Sequence, residues 1–198
     1  MDKATLRSQV WAARRKFQES MSKAQWLAQG ESIADAVAAE RQVLSACRTR
    51  ATIAAYSSYG TEPPTDALIA RLASMGATVV LPIIRTPEDP LLWADASSPL
   101  KPDVRGIPTP AGNVVARNAA DLLAINCRVI IVPALGVAKD GTRLGQGGGY
   151  YDRLLRHFPS HASISGGPLR LTIVNESEVF DELPSDPHDQ RVDRWVIA

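Results

Sequence analysis

Val129 to Leu155 reads V-I-I-V-P-A-L-G-V-A-K-D-G-T-R-L-G-Q-G-G-G-Y-Y-D-R-L-L. Its opening run, Val129-Ile130-Ile131-Val132, is β-branched throughout and is stopped by Pro133, which predicts a buried strand of a parallel sheet. Its close, Tyr150 to Phe158, spaces apolar residues for a helix that Pro159 ends. Between the two lies a loop holding Gly141, Gly145, Gly147, Gly148 and Gly149, with Arg143 inside it. A strand, then glycines, then a helix start suits a phosphate: bare backbone approaches closely, N–H groups converge and the helix dipole favours an anion. Neither common phosphate fingerprint is present. Counting from Gly145 the sixth residue is Tyr150 rather than Gly, and no Gly-Lys-Ser/Thr triplet follows. Glycines alone read equally well as a turn-rich surface loop, but Arg143, Tyr150, Tyr151 and Asp152 add more chemistry than a connection needs.

Composition narrows the class. A chain of 198 residues, 45% apolar and 22% charged, suits one soluble domain, residues 1–198, with a full core. A net charge of +1 argues against a nucleic-acid protein held by a broad basic face. Cys47 and Cys127 stand far apart with no C-x-x-C partner, so neither a disulfide framework nor a zinc knuckle is expected. The N-terminus has no apolar signal core, and no run approaches the ~20 apolar residues of a membrane span. The expectation is a cytoplasmic protein with no membrane partner.

Upstream, Lys3 to Phe17 reads as an amphipathic helix with an apolar stripe of Leu6, Val10, Ala13 and Phe17. At roughly 100° per residue, Lys3, Arg7 and Arg14 fall in a row on its flank. Ser22 and Gln25 form a capping box, and an Ala-rich helical region follows to about Cys47, with a break near Gly30 or Glu40. Ala51 to Tyr56 is a predicted strand. Ser57 to Pro64 is a polar loop, and Thr65 N-caps a helix from Asp66 to Met75 with Gly76 beyond it. Thr78 to Leu81 is the next strand, which completes the βαβ order of a parallel sheet. Pro82 to Pro110 contains seven prolines and reads as an extended excursion over the sheet with a short hairpin; Trp93 within it is expected in the core or at its rim. Asn118 to Asn126 is a short helix, and Leu169 to Val174 and Val192 to Ile197 are further strands. Pro159 breaks the helix that would align His157 with His161, so surface roles are expected for that pair, while His188, beside Asp189, either tunes that site or is solvated in its loop.

The ordered words R-L-G-x-G-G-G-Y-Y-D-R, preceded by V-P-A-L-G and D-G, resemble the signature of the 5-formyltetrahydrofolate cyclo-ligase family, also called methenyltetrahydrofolate synthetases. The rest of the chain supplies similar segments in order. Lys3-Ala4-Thr5-Leu6-Arg7 resembles the family's K-x-x-L-R, Glu62-Pro63-Pro64-Thr65 its E-x-x-T, Gly106 to Pro110 its G-I-x-x-P, and Leu183 to Asp189 its L-P-x-x-x-x-D. The resemblance implies an α/β protein, a three-layer α/β/α sandwich of the CoA-transferase-like kind around a mainly parallel sheet. It implies an ATP- and Mg²⁺-dependent closure of 5-formyltetrahydrofolate to 5,10-methenyltetrahydrofolate, with a monomer or homodimer as the working unit.

Residue by residue, the resemblance implies that ATP meets Lys3, Ala4, Thr5, Leu6 and Arg7 on the first helix, and Arg143, Leu144, Gly145, Gln146, Gly147, Gly148, Gly149, Tyr150 and Tyr151 in the central stretch. Arg143 and Tyr151 are the expected catalytic residues. Folate is expected at Ser57, Glu62, Gln146, Gly147, Gly148, Gly149 and Tyr150, with the Glu62 carboxylate taking two hydrogen bonds from the aminopyrimidine edge of the pterin. Asp152 and Asp189 are the expected Mg²⁺ residues. The chain departs from the family where Val137-Ala138 replace an aromatic-Asp pair and where Glu178 replaces a common Gln. Those departures keep open a diverged paralogue with another substrate, or a non-catalytic folate- or nucleotide-binding module of the same fold. An isomerase acting on sugar phosphates is a third reading, and it predicts activity without ATP.

Overall fold

A computed structural model describes residues 1–103, 106–161 and 166–198. Its centre is a seven-stranded sheet built from β1 (Thr52–Ala54), β2 (Thr78–Ile83), β3 (Leu92–Asp95), β6 (Val114–Ala116), β7 (Cys127–Pro133), β10 (Leu169–Val174) and β12 (Arg194–Ile197), in the spatial order β12-β10-β7-β1-β2-β3-β6. From β12 to β2 neighbouring strands run parallel, while β3 and β6 close one edge antiparallel.

Side-chain alternation along β7 makes the three layers. Val129 and Ile131 face one core, which they share with Ile33, Val37, Val43, Leu68 and Leu72. These residues come from α2 (Lys23–Ala39), α3 (Arg41–Arg48) and α4 (Asp66–Ser74). Ile130 and Val132 face the other core, with Leu122 of α5 (Ala119–Ala124) and Leu154 and Leu155 of α6 (Tyr150–Leu155). A strand covered on both faces must be continuously apolar, as Val129 to Val132 is. Trp93, Cys47 and Cys127 are buried in these cores. Among the described residues no helix is long and apolar enough to cross a membrane.

Several expectations change in the folded chain. The capping box of Ser22 and Gln25 is present, and the helical region breaks at Glu40, with Gly30 inside α2. Thr65 does not cap α4 with its side chain: its hydroxyl donates to Tyr56 O (2.8 Å) and accepts from Ser58 N (2.9 Å), so it staples the loop before the helix. The proline-rich excursion holds the expected hairpin, β4 (Leu100–Pro102) with β5 (Pro108–Pro110), but its Leu92–Asp95 segment joins the main sheet as β3 instead of lying over it. Residues 104 and 105 of that excursion lie outside the described residues.

The long glycine loop contains two short strands, β8 (Gly136–Ala138) and β9 (Arg143–Leu144), which form a second sheet with β11 (Val179–Phe180) in the order β11-β8-β9. The first helix, α1 (Lys3–Ser20), packs on that sheet through Leu6, Val10 and Trp11 against Leu135, Leu144 and Phe180. Its buried face keeps Leu6 and Val10 of the predicted stripe and departs from it in the second half of the helix. Ala13 is exposed, Phe17 is 47% exposed, and Arg14 is buried in their stead. The reason is what α1 packs against: that surface offers carbonyl and carboxylate oxygens as well as carbon, so the cationic row forms part of the contact.

Candidate active site

Chain order places a crevice before any side chain is considered. From β1 the chain builds the sheet outward through β2, β3 and β6, then returns to β7 on the other side of β1 and continues outward to β10 and β12. The switch point therefore lies between β1 and β7, and open α/β sheets bind ligands beyond the carboxyl ends of strands at such a point. A cavity of about 480 Å³ lies there. Tyr56 and Ser57 line it from beyond β1, Pro82 and Ile84 from the end of β2, and Pro133 from the end of β7.

The glycine loop forms one wall and α1 overhangs it. Lys3, Arg7, Glu62, Arg143, Gly145, Gln146, Gly147, Gly148, Gly149, Tyr150, Tyr151, Asp152 and Asp189 all line this cavity, so residues up to 186 positions apart in the sequence converge. Ala4, Thr5, Leu6 and Leu144 do not line it. Ala4 and Thr5 face solvent, and Leu6 and Leu144 pack in the core under α1. Lining residues that the sequence did not single out are Tyr56, Tyr59, Ile84 and Asp186; His188, exposed in its loop beside Asp189, also lines the cavity. Ile107 also lines it, from inside the G-I-x-x-P segment. The position of Asp186 within L-P-x-x-x-x-D was the one available signal for that residue.

Arg143 is 6% exposed and fixed at two points. Its Nη1 donates to Pro133 O (3.0 Å) and its Nη2 to Asp152 Oδ1 (2.9 Å), while its buried Nε has no protein partner among the described residues. Gly145 is dictated by this placement, because a Cβ there would stand 2.7 Å from Arg143 Nη1. Arg7 Nε donates to Gly145 O (2.8 Å), which ties α1 to the same loop. Gly147, at φ +103°, takes a backbone conformation that L side chains rarely adopt. Tyr150 donates its hydroxyl to Thr86 O (3.2 Å), and the Arg153 guanidinium lies 4.9 Å over its ring while its Nη2 donates to Pro87 O (2.9 Å). The glycine loop is thereby joined to the loop after β2.

Glu62 accepts from Tyr59 N (2.8 Å) and from the Gln146 side chain. Burial raises its carboxyl to about 7, against a smaller opposing pull from the Tyr59 N–H. Tyr151 is buried, its hydroxyl is without a protein partner among the described residues, and burial followed by the nearby Glu62 charge raises its phenol, so it remains a proton donor at any ordinary pH.

Asp186, His188 and Asp189 bring one ligand atom each to within 4.8 Å of one another. Lys3 donates to Asp189 and, at 2.6 Å, to Asp186 Oδ2, so this carboxylate pair already holds a cation supplied by the protein. Asp189 also accepts from Asp186 N (2.6 Å), and its carboxyl is lowered by that bond and by Lys3 against an opposing effect of burial. Carboxylate oxygens of this kind suit a hard divalent cation such as Mg²⁺. Asp152 is not in this cluster; its Oδ1 accepts from Arg143 and from Gln190 N (3.0 Å). His157 is exposed, and the His161 ring lies 3.0 Å from Gly167 O, both away from the cavity.

A family model described as the 5-formyltetrahydrofolate cyclo-ligase family matches residues 1–198. The chain belongs to that family. It is 34% identical over 156 residues to a 5-formyltetrahydrofolate cyclo-ligase of Mycolicibacterium smegmatis, a match covering 70% of this chain and 69% of the relative. A second cyclo-ligase, from Haemophilus influenzae, is 30% identical over 145 residues, 72% of this chain and 73% of the relative. In fold the chain is similar to the 5,10-methenyltetrahydrofolate synthetase of Aquifex aeolicus, with a TM-score of 0.74 at 24% identity, covering all (100%) of this chain and 90% of that one. The cyclo-ligase family is one of enzymes, and the departures at Val137, Ala138 and Glu178 do not touch this cavity. Val137 and Ala138 are buried in the small sheet, and Glu178 is buried beneath α1.

Proposed function

We propose that this chain, with residues 1–198 acting as one cyclo-ligase domain, closes 5-formyltetrahydrofolate to 5,10-methenyltetrahydrofolate and converts MgATP to ADP and phosphate. The observation that carries the reading is one cavity at the switch point lined both by Glu62, a carboxylate suited to a pterin edge, and by Lys3, Arg7 and Arg143, cations suited to a polyphosphate. The bond chemistry requires ATP because a formyl oxygen is a poor leaving group. That oxygen attacks the γ-phosphorus and ADP departs; N10 then attacks the activated carbon and loses its proton, and the C–O bond breaks to release phosphate.

Such a transfer asks for positioning and charge neutralisation more than for a protein nucleophile. Arg143, held by Pro133 O and Asp152, keeps its charge aimed at the transferring phosphoryl group. Lys3 and Arg7 bind the remaining phosphate oxygens from α1. Glu62 orients the pterin, Gln146 and Ser57 border it, and Tyr150 supplies a wall. The Tyr151 hydroxyl, protonated and without a protein partner among the described residues, donates to the ligand oxygen that reaches it. Asp189, with Asp186 and His188 beside it, and Asp152 would hold Mg²⁺, which neutralises phosphate charge when bound.

The test follows the oxygen. With ¹⁸O in the formyl group, the label is expected in the released inorganic phosphate, one atom per methenyl product. Label recovered in water instead would rule out phosphorylation of the formyl oxygen.

A further inference from the structure

We infer that the buried Arg14–Glu178 pair is a positioning device which sets α1 over the cavity and so controls nucleotide affinity through Arg7 and Lys3. The inference rests on the nucleotide reading of those two cations. Arg14 and Glu178 are 3% and 4% exposed. Arg14 Nε donates to Glu178 Oε1 (2.7 Å) and its Nη2 to Glu178 Oε2 (2.7 Å), a fork on both carboxylate oxygens; Nη2 also donates to Ala134 O (2.8 Å). Glu178 is held in turn by Asn175, through its backbone N (2.9 Å) and its side-chain Nδ2 (2.7 Å), in the 3₁₀ turn that leads into β11.

A buried ion pair is a weak device for stability, since a well-packed apolar pair of similar volume does as well or better. What a bidentate fork adds is geometry. α1 needs it, because its apolar contact is short: Val10 is buried and Leu6 and Trp11 pack half-buried beside it, all within the first half of the helix. So thin an apolar contact leaves rotation and sliding of an 18-residue helix loosely defined. Arg7 stands seven residues before Arg14 and Lys3 eleven, so at about 100° and 1.5 Å per residue all three lie on one line of the helix, with Arg7 about 10 Å and Lys3 about 16 Å from the fork. A small rotation at Arg14 is therefore carried to both site cations.

The anchor also shares its reference point with Arg143. Arg14 holds Ala134 O and Arg143 holds Pro133 O, adjacent carbonyls at the end of β7. Arg7 then closes the circuit by donating to Gly145 O, in the loop that Arg143 packs beneath. The two arginines that would meet phosphate are thus set from one rigid corner.

The experiment measures two affinities separately, for a non-hydrolysable MgATP analogue and for 5-formyltetrahydrofolate, by calorimetry with thermal unfolding alongside. Arg14→Lys keeps a charge and loses the fork. The double variant Arg14→Met with Glu178→Leu replaces the pair by carbon and keeps the fold stable. In both, nucleotide Kd is expected to weaken about tenfold while folate Kd stays within about twofold, the pattern of misplaced phosphate contacts. Nucleotide affinity within twofold of wild type, or folate affinity falling equally, would overturn the inference. Arg7→Ala is the reference: if it weakens the nucleotide while the Arg14 variants do not, the inference fails alone. If Arg7→Ala leaves the nucleotide unaffected, the nucleotide reading of α1 fails and takes the inference with it.

Discussion

Arg143 carries its charge on a buried guanidinium that two acceptors keep in one orientation, so its value at the site lies in placement. Arg143→Ala is expected to lower kcat/KM by at least about a hundredfold, and Arg143→Lys by nearly as much, because an ammonium cannot reach Pro133 O and Asp152 in the same fork. Steady-state rates on folded protein check this. Gly145→Ala moves the guanidinium without removing it, and an intermediate loss of activity with little change in melting temperature is expected. Glu62 gives a pH test. With its carboxyl raised to about 7, it is mostly protonated at pH 6 and mostly ionised at pH 8. Folate affinity should therefore rise about tenfold across that interval, and the slope should vanish in Glu62→Gln. An equal slope in the variant would assign the titration elsewhere. Stability runs the opposite way. Protonated Glu62 favours the fold fully below its unfolded value of 4.5, and that contribution is lost as pH rises through about 7. Glu62→Gln should consequently be more stable than wild type at pH 8, a comparison made by denaturant melts.

At the scale of elements, α1 separates what the chain spells out from what it does not. Its existence and its cationic row were legible, because helical period is a local property. The second half of its buried face is not legible, because Ala13 and Phe17 complete a better apolar stripe than Arg14 does, and only the distant Glu178 and Ala134 O make burial of Arg14 tolerable. The structure therefore predicts that Phe17→Ala changes stability by less than about 0.5 kcal/mol while Val10→Ala costs about 1–3 kcal/mol. Urea denaturation of the two variants checks the ranking, and a larger cost for Phe17 would restore the sequence-derived face. The glycine stretch taught a related lesson. Its strand and helix ends were visible, but β8 and β9 were not, since Gly136-Val137-Ala138 gains strand geometry from pairing with Val179-Phe180, forty-two residues on. Such short strands carry no period of their own.

Across the whole molecule, the order of strands decides where chemistry sits. The parallel strands were readable one by one, yet the switch between β1 and β7 is a matter of who pairs with whom, and no local pattern encodes that. The same holds for the antiparallel edge, where Leu91 to Trp93 looked like an isolated apolar run until β2 and β6 claimed it. The site residues Glu62, Arg143 and Asp189 were found early only because an ordered series of motifs marked them. Tyr56, Tyr59 and Ile84 lie outside those motifs and needed the fold to bring them in. Because the cavity joins both halves of the sheet, ligands should stabilise the molecule as a unit. A MgATP analogue at about 100 times its Kd is expected to add about 2.7 kcal/mol, which raises Tm by roughly 5–10 °C. The central claim is tested most directly by the absorbance of methenyltetrahydrofolate formed from 5-formyltetrahydrofolate, with and without MgATP. The account predicts product only with MgATP, and one ADP for each molecule formed. Product without ATP, or no product from folded enzyme that binds both ligands, would contradict it.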